Sequence, residues 1–151
     1  MLAALPAWEY HKGVVVLEKM SARVAAAEAA RMLRDGAELK DIWRHTVTQL
    51  LDDYQSIARH DGVMQAARLF VDVPEAAGDL RVDAAFHALA EHLARRDGWQ
   101  PPAWSGDLSR TAMPWWFVSD LTGMHSRALR ESPLSFRKRG VFITTDALER
   151  V

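Results

Sequence analysis

The chain contains no cysteine. Disulfide scaffolding, a thiolate nucleophile and cysteine metal ligation are therefore excluded. Long apolar runs are missing too. The longest, Val14-Val15-Val16-Leu17, falls far short of the roughly 20 residues that cross a bilayer. No basic stretch precedes that run and Glu9 interrupts the approach to it, so no secretory signal is read and a cytoplasmic protein without membrane contact is expected. There is no Gly-rich phosphate loop and no Gly-x-Ser-x-Gly elbow, and no serine, histidine and aspartate share a local context. A non-enzymatic protein with no catalytic residues, no cofactor and no metal is the expectation. Charge of one sign is also lacking: the formal net charge of -1 argues against nonspecific nucleic-acid binding by the whole molecule.

What is present is enough for one compact unit. A 151-residue chain with 49% hydrophobic residues can bury a real core, and much of that fraction is alanine, which favours helix. The expected fold is all-α: a compact bundle of about five to seven helices with an irregular Pro/Trp-rich C-terminal segment and little or no sheet. Residues 1–74 read as an N-terminal helical region and 79–151 as a C-terminal helical module, joined through Val73-Pro74-Glu75-Ala76-Ala77-Gly78-Asp79.

The first helix is expected to run from the Val14 region into residues 21–34, with Leu17, Met20 and Val24 at helical spacing and Asp35-Gly36 as its stop. The clearest helix covers 39–59. Trp43, Val47, Leu50, Tyr54 and Ile57 step by four and three along one face, and Asp61-Gly62 follows its end. That stripe does not complete three heptads, so packing within the chain is favoured over homo-oligomerisation. A short helix over 63–71 would turn Met64, Ala67, Phe70 and Val71 inward. Residues 81–96 place Val82, Phe86, Leu89 and Leu93 at the same spacing. A helix within 114–130 would bury Phe117, Leu121, Met124 and Leu129 before Ser132-Pro133 breaks it. Val141-Phe142-Ile143 is extended, and Thr145 or Asp146 caps a last turn through Leu148.

His87 and His92 flank Glu91 in a way that superficially suggests zinc. Five residues at about 100° each set the two rings roughly 140° apart, so they read as surface or edge histidines. Asp52, Asp53 and Asp41 read as a solvated helix face.

The last third differs in character. Four of the six tryptophans (Trp99, Trp104, Trp115, Trp116) lie in proline-spaced sequence. Residues 1–106 carry 12 Lys+Arg against 15 Asp+Glu, while 107–151 carry 7 against 5, so the positive charge is local to the tail. Arg137-Lys138-Arg139 sits between Phe136 and the apolar run that follows Gly140. Such a run keeps its charges in water or docks an acidic partner or a phosphate backbone. Adjacent Trp115 and Trp116 cannot both enter one core from a helix, so at least one needs a second surface. Trp115, Trp116, Phe136, Arg137, Lys138 and Arg139 are the candidate partner-binding residues.

The stretch 80–94, Pro101 to Trp104, Pro114-Trp115-Trp116-Phe117, Ser132-Pro133 and the run 136–143 together resemble the C-terminal region of small bacterial antitoxin or regulator proteins. Some of these carry an N-terminal helix-turn-helix, and many are paired with nucleotidyltransferase-like proteins. The resemblance covers about half the chain. It implies an antitoxin-like component that binds and restrains a protein partner, with a nucleotidyltransferase-like protein as the candidate. Residues 1–75 depart from the DNA-binding version, showing long amphipathic helices instead. A DNA-binding regulator is the alternative, and a small enzyme gathering His45, His60 or His125 with carboxylates is a third reading.

Overall fold

A computed structural model describes residues 19–149. It is a compact helical fold with only a two-stranded patch of sheet, in agreement with the all-α expectation. Helix α1 spans Ala22–Arg34 and starts where the Ser21 hydroxyl accepts from the Val24 amide at 3.2 Å. Lys19 and Met20 are not helical, so the helix does not run in from the preceding segment; Val14 to Leu17 lie outside the described residues. The stop at Asp35-Gly36 forms as expected. Gly36 takes φ +81°, and the Ala37 amide donates back to Met32 at 3.0 Å. Ala22, Ala25, Ala26 and Ala29 are buried, and their small side chains let α1 approach the rest of the bundle closely.

The long amphipathic segment is helical but not uniform. Helix α2, Leu39–Ile42, passes through a π turn at Trp43–Val47 into α3, Thr48–Asp61. The Thr48 amide reaches back five residues to the Trp43 carbonyl. Such a bulge re-aims side chains that a regular helix would leave on a drifting stripe. Trp43, Val47, Leu50, Leu51 and Tyr54 are all buried, so this stripe is consumed within the chain. Helix α4, Val63–Ala67, and a 3₁₀ turn at Arg68–Phe70 follow. Here the inward face differs from the expected one: Ala66 and Phe70 are buried, whereas Met64 and Val71 are exposed. The change from α to 3₁₀ geometry at Arg68 shifts the angle between successive side chains and turns Val71 outward.

Helix α5, Leu80–Asp97, is the central element. Asp79 caps its start, and Gly98, at φ +82°, lets the chain reverse into Trp99. It is buried on nearly every side, including Asp83, His87 and Glu91, which corrects the surface placement expected for His87. His92 is half-buried. The far end is closed by Tyr54, whose hydroxyl donates to Asp97 at 2.7 Å and accepts from the Trp99 indole at 2.8 Å. Residues from both sides of the 73–79 connection enter one continuous core.

Beyond α5 the expected helix within 114–130 does not form as one piece. Strand β1, Trp116–Phe117, pairs in parallel with β2, Val141–Phe142, in the register Trp116 to Val141 and Phe117 to Phe142. A 3₁₀ turn at Thr122–Met124 then leads into α6, His125–Glu131. Leu121 and Leu129 are exposed rather than inward. The short helix α7, Leu134–Arg137, follows the Ser132-Pro133 break. The last turn, Thr145–Ala147, begins after Thr144, and no side-chain cap is made by Thr145 or Asp146. No described helix is long and apolar enough to cross a membrane.

Candidate partner-binding site

The C-terminal segment is fastened to α5 by charge. Asp83, His87 and Glu91 recur every four residues and therefore share one face of the helix. Asp83 accepts from the Ala77 amide at 2.8 Å and pairs with Arg110 at 3.2 Å. The Trp104 ring stands nearly perpendicular to His87, with centroids 5.0 Å apart. Glu91 receives Lys138 Nζ at 2.7 Å and the Arg139 guanidinium at 3.2 Å, with Arg95 at 3.8 Å from its other oxygen.

Arg139 is fully buried, at 0% exposure. Its guanidinium also donates to the backbone oxygens of Ser135, at 2.7 Å, and Ser105. Burying a guanidinium costs several kcal/mol unless it is paired and hydrogen-bonded; these contacts serve both terminal nitrogens, while Nε is buried without a hydrogen-bond partner among the described residues. The expectation that all three cations of 137–139 stay in water is thus corrected: Arg137 and Lys138 do, and Arg139 is the internal rivet.

Titration follows from this burial. Burial works to raise the Glu91 pKa, but hydrogen bonds from Lys138, Arg139 and Ser135 outweigh it and bring it down to about 2. His87 falls to about 4, chiefly through burial and then through Arg110 and Arg139. Asp83 is pushed up by burial, against the pull of the Ala77 amide and Arg110.

On this base the tail forms a fixed ledge. The Ala112 amide donates to the Arg139 carbonyl at 2.8 Å, and the Trp116 amide to the Gly140 carbonyl at 2.8 Å. Gly140 has φ +75°, and a Cβ there would lie 2.8 Å from the Trp115 ring, so only glycine allows the indole to sit over this turn. Trp115 also meets Phe142 edge-on at 5.3 Å. Ser132 ties α6 to the end of β2: its hydroxyl accepts from the Ile143 amide at 2.8 Å and lies 2.6 Å from the Ala128 carbonyl.

The six candidate residues divide into two groups. Trp116 and Phe136 are buried; both pack on Trp43, with ring centroids at 5.7 Å and 6.4 Å. With Arg139 they hold the ledge from inside and cannot touch a partner in this conformation. Trp115 is 65% exposed, and Arg137 and Lys138 are also on the surface. The alternation of Trp115 and Trp116 comes from the extended backbone, in which neighbours point to opposite sides.

Two further exposed apolar side chains of the segment were not anticipated: Met113, one residue beyond the Ala112 anchor, and Leu134, at the start of α7. Leu134 had a readable signal. It precedes Phe136 by two positions on a helical turn, about 200° around the axis, so only one of the pair can face the core.

The histidines of the enzymatic reading are not brought together. His45 lines a groove along α1 with Glu28, whose carboxylate is bound by Arg31. His125 lies in a cavity of about 130 Å³ beside Phe117 and Phe142, a lining without a carboxylate. His60 contacts the Ser56 carbonyl at 2.8 Å. Among the described residues no three His, Asp or Glu side chains gather as a metal-ligand set.

Comparison with known proteins gives no match to a family model, a curated protein or a solved structure.

Proposed function

We propose that this protein is a non-enzymatic interaction component that binds and restrains a protein partner, antitoxin-like in role, through the Trp115 ledge. The observation that carries the reading is the contrast between adjacent indoles: Trp116 is 6% exposed and Trp115 is 65% exposed, although both belong to one hydrogen-bonded segment. A large aromatic side chain held outward on a fixed backbone loses little conformational freedom on binding, which is what an interface anchor requires. Exposed Met113 and Leu134 extend the apolar area, and Arg137 and Lys138 supply a polar rim. The nucleotidyltransferase-like partner follows from the resemblance in the C-terminal half.

The test is affinity capture from the native host with the full chain, with and without nuclease, followed by Trp115→Ala. The reading expects one stoichiometric protein that survives nuclease and is lost with the variant, while thermal unfolding of the variant stays near that of the parent. Recovery of nuclease-sensitive nucleic acid alone, or a partner retained by folded Trp115→Ala, would overturn it.

A further inference from the structure

The charges around Trp115 narrow the chemistry of what docks there. Three cations converge on the single Glu91 carboxylate: Lys138 at 2.7 Å, Arg139 at 3.2 Å and Arg95 at 3.8 Å. The cluster therefore carries two positive charges in excess. Two further guanidinium groups, on Arg137 and Arg130, add to it. Among the described residues Arg137 donates to backbone oxygens, those of Arg130 at 3.2 Å and Ser132 at 3.0 Å, which fixes its position, and it makes no ion pair there. Arg130 is exposed and makes no ion pair among the described residues. The acids nearest in sequence are already engaged: Glu131 by Arg127 and Thr145, and Asp146 by Arg127.

The surplus charge adjoins the apolar ledge. Trp115 covers Gly140, which closes the turn that holds Arg137 and Lys138, and Leu134 opens the helix that Arg137 ends. We infer that this surface receives an acidic peptide segment of the partner, with carboxylates on Arg130, Arg137 and Lys138 and a large apolar side chain against Trp115, Met113 and Leu134. The inference rests on the partner-binding reading above.

Carboxylates fit the arginine fork in bidentate fashion, and Arg130 and Arg137 offer two such positions, with Lys138, already on Glu91, as an adjacent point charge. A nucleic-acid strand would satisfy the same cations. It would, however, bring unbroken negative charge to a molecule of net charge -1, and the aliphatic Met113 and Leu134 are poor stacking partners for bases.

The test uses the full chain and fluorescence anisotropy with three labelled probes: a peptide of glutamates interspersed with leucine, its lysine counterpart, and a short DNA duplex. The acidic peptide is expected to bind, to weaken as NaCl rises, and to lose affinity by about tenfold with Arg137→Glu and with Trp115→Ala. Arg130→Glu, whose side chain holds nothing else among the described residues, repeats the charge test without disturbing the turn. Equal binding of the lysine peptide, tighter binding of the duplex, or no binding of the acidic peptide would overturn the inference. A captured partner that depends on Trp115 but ignores salt and both arginine reversals would overturn it too, while leaving the partner reading intact. Failure to capture any protein would count against the partner reading, and the peptide result would still judge the surface.

Discussion

The helices α1 to α3 and the segment after Gly98 are held by different forces. The first region relies on buried alanines and on Ile42, Val47, Leu50 and Leu51, apolar contacts spread over many residues. The second buries Trp99, Trp116, Phe136, Val141 and Ile143 as well, but its irregular backbone is also tied down by a few polar fastenings, with Arg139 on Glu91, Arg110 on Asp83 and Ser132 on Ile143, plus a strand pair only two residues long. Burial distributed over many side chains tolerates the loss of any one of them. A segment fixed by single buried charges does not, because each loss leaves an unmatched group in a poorly solvating interior. The gain is orientation: irregular backbone fixed in this way can hold an aromatic side chain outward at a defined place.

Arg139→Ala should break the comparison most strongly. It abandons the Glu91 contact and the carbonyls of Ser105 and Ser135, and should cost about 3–5 kcal/mol in chemical denaturation. Exposed Arg44→Ala in the first region, 69% exposed and 3.9 Å from Asp41, should change stability by less than about 0.5 kcal/mol.

Acid should expose the difference next. His87 falls from 6.5 to about 4 in the folded protein, so its neutral form contributes stability that is full above pH 6.5 and is lost as pH drops toward 4. Glu91 falls from 4.5 to about 2, so its contribution is full above pH 4.5 and is lost below that. Asp83 acts in the opposite sense, since its raised pKa subtracts stability at neutral pH and that deficit shrinks in acid. The His87 share alone is on the order of 3 kcal/mol. Melting temperatures measured from pH 7 to pH 4 should fall, and His87→Gln should flatten the upper part of that fall. An equal slope in the variant would contradict the assignment.

Gly140→Ala should cost about 1–3 kcal/mol, because it adds a Cβ at φ +75° against the Trp115 ring at 2.8 Å and the Ala112 carbonyl at 3.3 Å. Gly98→Ala shares the positive φ but meets open space, and should cost less. Equal losses at the two sites would mean that the indole does not rest on Gly140.

The same contrast explains which parts were legible in the sequence. Helix ends marked by Gly36 and Gly98 could be read because caps are local, whereas the start at Ser21 was passed over in favour of a longer helix; the 43–54 stripe could be read because helical periodicity is local. The tail was legible only in part: the Ser132-Pro133 break and the extended Val141-Phe142 could be read, the rest could not. Phe117, Leu121, Met124 and Leu129 imitate a helical stripe, yet Trp116 and Phe117 pair with a strand 25 residues further on, a contact that no local spacing encodes. His87 reads as a surface histidine from its spacing, yet Trp104 packs on it and Arg139, 48 positions from Glu91, closes over the same helix face. At the ledge, the sequence showed that Trp115 and Trp116 must part company, but not which of them turns outward. The strand register decides that.

The most direct measurement is partner retention per folded molecule for Trp115→Ala beside Trp116→Ala, with melting temperatures on the same samples. Truncating Trp116, packed on Trp43, should destabilise the fold by about 3–5 kcal/mol, whereas truncating Trp115 should cost about 1 kcal/mol or less and abolish retention. If Trp115→Ala unfolds as readily as Trp116→Ala, or stays folded and keeps the partner, the ledge is a core element and the account is wrong.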